Sequence, residues 1–217
     1  MAKKSLRKGI FITFEGIEGC GKSTQSKLLY EYLKKRGLPC ILTREPGGTK
    51  AGERIRDMLL HSKDTHISDI AEMLLFEAAR SQIVEEVIMP GIEAKKIVIC
   101  DRFSDATRSY QGYGGKVPLR TIEAVNRVAT AGLEPDLTLL FDIDTDTSLK
   151  RAKAKGVDRM EAKDASYHRR VRAGYLELAK RFPGRIKVIK VTGGIGRIQA
   201  IVRREVELVI QEHKRTG

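Results

Sequence analysis

The chain has 217 residues, with 41 Lys+Arg against 28 Asp+Glu and a formal net charge of +13 at pH 7. A compact chain of this size buries roughly 70% of the surface its unfolded form exposes, so a single domain around one core is expected over the whole length. No stretch approaches the roughly 18 consecutive apolar residues of a membrane span. The basic start, Met1 to Lys8, leads into one short apolar run and a glycine loop, which argues against a secretory signal. Cys20, Cys40 and Cys100 are odd in number, far apart and without CxxC spacing, so neither a disulfide framework nor a zinc site is expected, and a reducing cytoplasm is. The charge leaves two classes of partner open: nucleic acid, or small polyanions such as nucleotides.

In chain order, a β-branched strand at 10–14 runs through a glycine loop into a helix at 22–35, stopped by Gly37 and Pro39. A second strand at 40–43 precedes helices at 52–61 and 69–88, the latter interrupted by Pro90-Gly91. A third strand at 97–100, a helix at 119–130 and a fourth strand at 137–142 follow. Helices at 145–154 and 165–181, a fifth strand at 186–191 and a helix at 197–212 complete the pattern. Short, uniformly apolar strands alternating with helices read as βαβ units of a buried parallel sheet.

The segment Gly16-Ile17-Glu18-Gly19-Cys20-Gly21-Lys22-Ser23 fits G-x-x-x-x-G-K-[ST] at every fixed position, between a strand and a helix. Glycines let backbone N–H groups turn inward around phosphate oxygens, Lys22 reaches the terminal phosphates of ATP, and Ser23 supplies a hydroxyl ligand to Mg²⁺. The helix N-terminus aims its partial positive charge at the same anion. Two polar clusters end the next strands in the sheet: Arg44-Glu45-Pro46-Gly47-Gly48 and Asp101-Arg102. Ligands of open parallel sheets bind outside the carboxyl ends of strands, so these clusters and the loop are expected to share one crevice. Two arginine forks facing a phosphate loop suit a second phosphate, and Asp101 suits a magnesium carboxylate, with an N-cap as its plainer alternative.

Taken together, 14–24, Arg44-Glu45-Pro46-Gly47-Gly48-Thr49, Leu74-Leu75-Phe76 with Arg80, Asp101-Arg102-Phe103, Tyr110-Gln111-Gly112 and Asp158-Arg159 resemble bacterial thymidylate kinase over nearly the whole chain. The resemblance implies an α/β P-loop NTPase fold, a three-layer sandwich with a five-stranded parallel sheet flanked by helices and a short mobile lid at about 150–165. It implies ATP-dependent phosphorylation of dTMP to dTDP in dTTP biosynthesis, with Mg²⁺, by a cytoplasmic homodimer that engages neither nucleic acid nor membrane. ATP would lie on residues 16–24, Gly16 through Thr24, with Mg²⁺ on Ser23 and Asp101. Glu18 would meet the deoxyribose 3′-hydroxyl, and Arg44 and Arg102 the acceptor phosphate. Phe76 would stack on thymine and Arg80 bond a ring carbonyl. Tyr110 would crowd the 2′ position, and Gln111 would lie beside the nucleoside. The spacing of Phe76 and Arg80, four apart on a helix, independently puts them on one face.

Residues 150–172, where nine Lys/Arg meet three Asp/Glu, resemble the family's lid. Gly19 after the acidic loop residue matches the bacterial form in which lid side chains, here Arg151, Lys153, Lys155 and Arg159, join Lys22, Asp101 and Arg102 in catalysis. Lysines at 153 and 155, where relatives often carry arginine, keep the charge without the fork. Ala106 stands where a serine is common. Cys20, beside Lys22 and a helix N-terminus, reads either as a thiol reactive toward alkylating reagents or as a small filler. The alternatives are a UMP/CMP-type kinase and a nucleic-acid-stimulated ATPase; six Phe, six Tyr and no Trp leave the latter few stacking platforms.

Overall fold

The computed structural model describes residues 8–62, 65–154, 158–160 and 162–215. Five strands, β1 (Ile10–Glu15), β2 (Cys40–Arg44), β3 (Ile97–Asp101), β4 (Leu137–Asp142) and β5 (Ile186–Lys190), form one sheet in the order β2-β3-β1-β4-β5. All pairings are parallel, with Ile12 opposite Ile99 on one side and Leu137 on the other. The central strand β1 is buried on both faces, as its continuous apolar run demands.

Alternation along β1 divides the core. Ile10, Ile12 and Phe14 pack with Leu29 and Leu33 of α1 (Lys22–Lys35) and with Val202, Val206 and Ile210 of α9 (Ile195–Arg215). Phe11 faces the other way, toward Ile83, Ile88 and Phe103. Each fully buried side chain of this size contributes about 1.5–3 kcal/mol, so the two layers of helices hold the sheet chiefly by apolar burial. Beyond Phe11 that second face turns polar: Thr13 hydrogen-bonds Thr138 at 2.9 Å, and Glu15 lies wholly buried.

The remaining helices are α2 (Lys50–His61), α3 (Asp69–Ile83), α4 (Met89–Glu93), α5 (Ser104–Thr107), α6 (Leu119–Ala129), α7 (Thr145–Lys153) and α8 (Ala165–Arg181). Two readings of the sequence need correction. Thr49 accepts a hydrogen bond from Gly52 N–H as N-cap, so α2 starts at Lys50 rather than 52. Pro90 does not end the long helix: a π turn at Val84–Ile88, in which Met89 N–H reaches Val84 O, widens the ladder just before the ring, and α4 continues through it. The segment after Asp101-Arg102, to which the sequence reading assigned no element, is helical as α5 followed by a π turn at Arg108–Gly114. It packs so closely on α8 that a Cβ on Gly114 would come within 2.7 Å of Tyr167 and one on Gly174 within 2.6 Å of Tyr113.

Candidate active site

The connection from β1 goes to β2 on one side of it, while β4 lies on the other, so the crevice at the carboxyl end of β1 is the switch point of the sheet. A cleft of about 290 Å³ opens there. The loop between β1 and α1 forms one wall. Gly16, Gly19 and Gly21 all take positive φ, and Gly19 is doubly constrained, because a Cβ there would lie 2.6 Å from Ser148 O of α7. Ser148 Oγ also donates to Glu18 O, which fixes α7 against the loop. Gly21 begins α1 without a capping side chain, which leaves first-turn N–H groups for an anion. Lys22 Nζ is folded back onto Gly16 O at 2.9 Å and Ile17 O at 3.0 Å.

Next to Lys22, Ser23 Oγ donates to Asp101 Oδ2 at 2.5 Å, joining α1 to the end of β3. A hydroxyl and a carboxylate oxygen in contact are the donors a hard divalent cation takes, and such cations are commonly held by one carboxylate plus phosphate oxygens. No cluster of three or more His, Cys, Asp or Glu that would form an all-protein metal cage occurs among the described residues.

Arg102 divides the cleft. Its backbone sits at φ 74, and its guanidinium donates to Glu18 Oε1 at 2.8 Å, Tyr110 OH at 3.2 Å and Gly16 O at 3.2 Å. Tyr110 OH donates to the same Glu18 oxygen at 2.6 Å. Burial alone would raise the Glu18 carboxyl, but Arg102, Lys22 and Tyr110 outweigh it and hold it below the ordinary carboxylate range. Behind Arg102, Glu15 accepts from Phe103 N–H and Tyr175 OH, both at 2.7 Å. Burial, reinforced by Asp105, pushes Glu15 up to about 7 against the pull of Arg102.

The far side of the cleft is built by α3 and the loop after β2. Phe76, half-buried, and Arg80, 1% exposed, both line it from one helix face. Arg80 Nε donates to Glu45 at 2.8 Å, Nη1 to Glu77, Thr107 and Asn126, and Nη2 to Phe103 O at 3.0 Å. That leaves one Nη2 hydrogen without an acceptor among the described residues. Burial works against the Arg80 charge, but Glu45 and Glu77 prevail and raise its pKa; burial in turn pushes Glu45 up to about 8, with Arg80 opposing. A cluster this buried contributes little net stability and chiefly fixes Arg80 in place. At the cleft's mouth Arg44 donates to both oxygens of Glu53 at 3.0 Å.

A family model described as thymidylate kinase matches residues 14–202. The chain is similar to a thymidylate kinase of Dehalococcoides mccartyi, 52% identical over 166 residues that cover 76% of this chain and 80% of the relative. It is 48% identical over 182 residues to one of Thermoanaerobacter pseudethanolicus, covering 84% and 89%. It superimposes on the crystal structure of thymidylate kinase from Ehrlichia chaffeensis with a TM-score of 0.76 at 36% identity, covering 91% of this chain and 98% of that one. The chain belongs to the thymidylate kinase family.

Against the family pattern, the cleft brings together Glu18, Gly19, Lys22, Ser23, Arg44, Phe76, Arg80, Asp101, Arg102, Tyr110 and Gln111, with Ala106 at the serine position. Gly16 and Ile17 line a small adjoining recess, Gly21 starts α1, and Thr24 is exposed. Cys20 is 1% exposed, which removes the expectation of an accessible thiol and leaves the filler reading. The basic residues expected over ATP separate. Arg151 and Lys153 are exposed on α7, whose Arg151 Cβ lies 3.0 Å from a Cβ built on Gly19. Lys155 lies outside the described residues. Arg159 does not line the cleft: its guanidinium donates to Leu59 O and pairs with Glu72, both at 2.7 Å. Gln111 Nε2 donates to that same Glu72 at 2.9 Å.

Arg56 was missed. It lines the cleft from α2 and donates to Pro46 O at 2.9 Å. Burial lowers its pKa, and repulsion from Arg44 and Arg102 adds to that against the pull of Glu53 and Asp158. Its spacing, four after buried Gly52 and four before buried Leu60, was the available signal.

Proposed function

We infer that the protein transfers the terminal phosphoryl group of ATP to dTMP, giving dTDP for dTTP synthesis. The observation that carries the reading is the union, in one cleft, of a phosphate loop with Lys22 and the Ser23–Asp101 pair on one wall and Phe76, Arg80 and a group of arginines on the other. In this reading Lys22 leaves its loop carbonyls for the donor's terminal phosphates, and Ser23 and Asp101 hold Mg²⁺, which when bound offsets phosphate charge. Arg44 and Arg102 orient the acceptor phosphate, joined by Arg56. A phosphate monoester has a second pKa near 6 and is already ionised at pH 7, so positioning and charge neutralisation suffice without a general base.

Phe76 stacks on the thymine, and the free Nη2 hydrogen of Arg80 supplies a donor for a ring carbonyl. Glu18 takes the 3′-hydroxyl, Tyr110 crowds the 2′ position, and Gln111 lies beside the nucleoside. The basic segment, with Arg151, Lys153 and Lys155, covers the phosphates, whereas Arg159 braces the cleft floor through Glu72. We place the protein in the cytoplasm as a homodimer, with Met58 of α2 and Ile70 and Leu74 of α3, each about half exposed, as the apolar contact. A coupled ADP-release assay over dTMP, dUMP, UMP, CMP, AMP and no acceptor tests the substrate. Preference for UMP or CMP over dTMP rejects it, and sizing by light scattering tests the dimer.

A further inference from the structure

The two carboxylate oxygens of Glu18 are treated unequally. Oε1 accepts from Tyr110 OH and Arg102, whereas Oε2 is buried and has no hydrogen-bond donor among the described residues. Facing it across 3.7 Å is Nδ1 of His168 on α8. His168 is 1% exposed, and neither ring nitrogen has a hydrogen-bond partner among the described residues. Its ring lies edge-on to that of Tyr167, with centroids 5.5 Å apart. An unsatisfied buried carboxylate oxygen opposite an unsatisfied buried imidazole is an unusual pair, because each orphan carries its full desolvation penalty. The separation exceeds a hydrogen bond by less than about 1 Å, within reach of a small rotation of either side chain.

We propose that His168 is a positioning residue for the acceptor sugar: with nucleotide bound, it donates Nδ1–H to Glu18 Oε2 and fixes the plane of the carboxylate that meets the 3′-hydroxyl. The proposal rests on the reading of Glu18 as the 3′-hydroxyl acceptor. His168 does not line the cleft and touches no substrate, so it acts only through Glu18. Oε1 is anchored by the side chains of Arg102 and Tyr110, whereas Oε2 has no side-chain hydrogen bond among the described residues. A contact from α8 would hold that second oxygen as well.

The test compares wild type, His168→Leu and His168→Asn on dTMP and on 3′-deoxy-dTMP. Leucine fills the space without a donor, and the asparagine amide places a nitrogen near Nδ1. His168→Leu is expected to raise KM for dTMP about tenfold with kcat changed much less, the loss of one hydrogen bond to a charged group. It should leave KM for the 3′-deoxy substrate unchanged, and His168→Asn should restore most of the dTMP value. Equal weakening toward both substrates, or no rescue by asparagine, overturns the proposal in favour of simple packing. A second readout is the ¹⁵N resonance of His168 Nδ1 in the dTMP-bound enzyme, assigned by its loss in His168→Leu. Its hydrogen-bonded shift should vanish in Glu18→Gln, and a shift indifferent to Glu18 overturns the contact. If wild type does not distinguish dTMP from its 3′-deoxy analogue, the reading of Glu18 fails, and the resonance alone decides whether His168 holds it.

Discussion

Arg102 combines backbone strain with a buried charge pair, and two substitutions separate the terms. At φ 74 its backbone is left-handed while its N–H still bonds Phe14 O at 3.0 Å, a conformation that costs an L-residue about 1–2 kcal/mol. Arg102→Ala keeps that strain and removes the partner of Glu18. The Glu18 and Arg102 side chains are only 11% and 19% exposed, so the loss should be about 3 kcal/mol, the low end for breaking a buried pair. Arg102→Gly loses the same pair but relaxes the strain, less the roughly 0.5–1 kcal/mol by which glycine favours the unfolded chain. The glycine variant should therefore be the more stable of the two by about 0.5–1 kcal/mol, and both should lose turnover with dTMP by about a hundredfold or more. Urea unfolding with matched m-values reads the stabilities, and adding Glu18→Gln to Arg102→Ala should recover part of the loss because no orphaned charge remains. An alanine variant as stable as the glycine variant refutes the strain argument. Wild-type stability in either refutes the buried-pair argument.

Lys22→Ala should lower turnover by orders of magnitude without unfolding the protein, since Nζ holds only groups of its own loop, Gly16 O, Ile17 O and Cys20 Sγ, besides its charge near Glu18; near-normal turnover rejects its assignment. Asp101→Ala should raise the Mg²⁺ concentration for half-maximal rate about tenfold or more, and an unchanged magnesium titration would show that the Ser23–Asp101 pair holds no cation. Glu15 sets a pH signature of stability. Its folded pKa of about 7 exceeds the ordinary 4.5, so the native state binds its proton more tightly and stability falls as pH rises from about 4.5 to 7, by about 3 kcal/mol from this group. Glu15→Gln keeps an acceptor for Phe103 N–H and should make that fall shallower by this amount, leaving the share of Glu45, whereas parallel curves in denaturant titrations across the window would show that Glu15 is not a source.

The features readable in the sequence are those whose physics is local. Strands β1, β3 and β4 are short apolar runs bounded by turns and lie buried inside the sheet, and the half-exposed edge strands β2 and β5 are bounded in the same way, so composition and spacing locate all five within a residue or so. The phosphate loop is equally local, because its glycines answer backbone angles set within a few residues of one another and Lys22 and Ser23 follow at fixed offsets. The helical segment 104–114 carries only Ala106, Tyr110 and Tyr113 as apolar residues at helical spacing, amid polar ones and two glycines. Its Ser104, Asp105, Arg108, Ser109 and Gln111 are buried by partners distant in sequence, so periodicity gave only a weak sign of a helix. Arg159 and Arg102 are both basic residues beside an Asp, yet Glu72 from α3 draws one away from the cleft lining and Glu18 with Tyr110 draws the other into the cleft. The net charge of +13 announced a polyanion, but its distribution was decided by tertiary contacts: which arginines are neutralised by buried carboxylates, and which, like Arg56, are brought close to others of their own sign, with Glu53 and Asp158 opposing that repulsion.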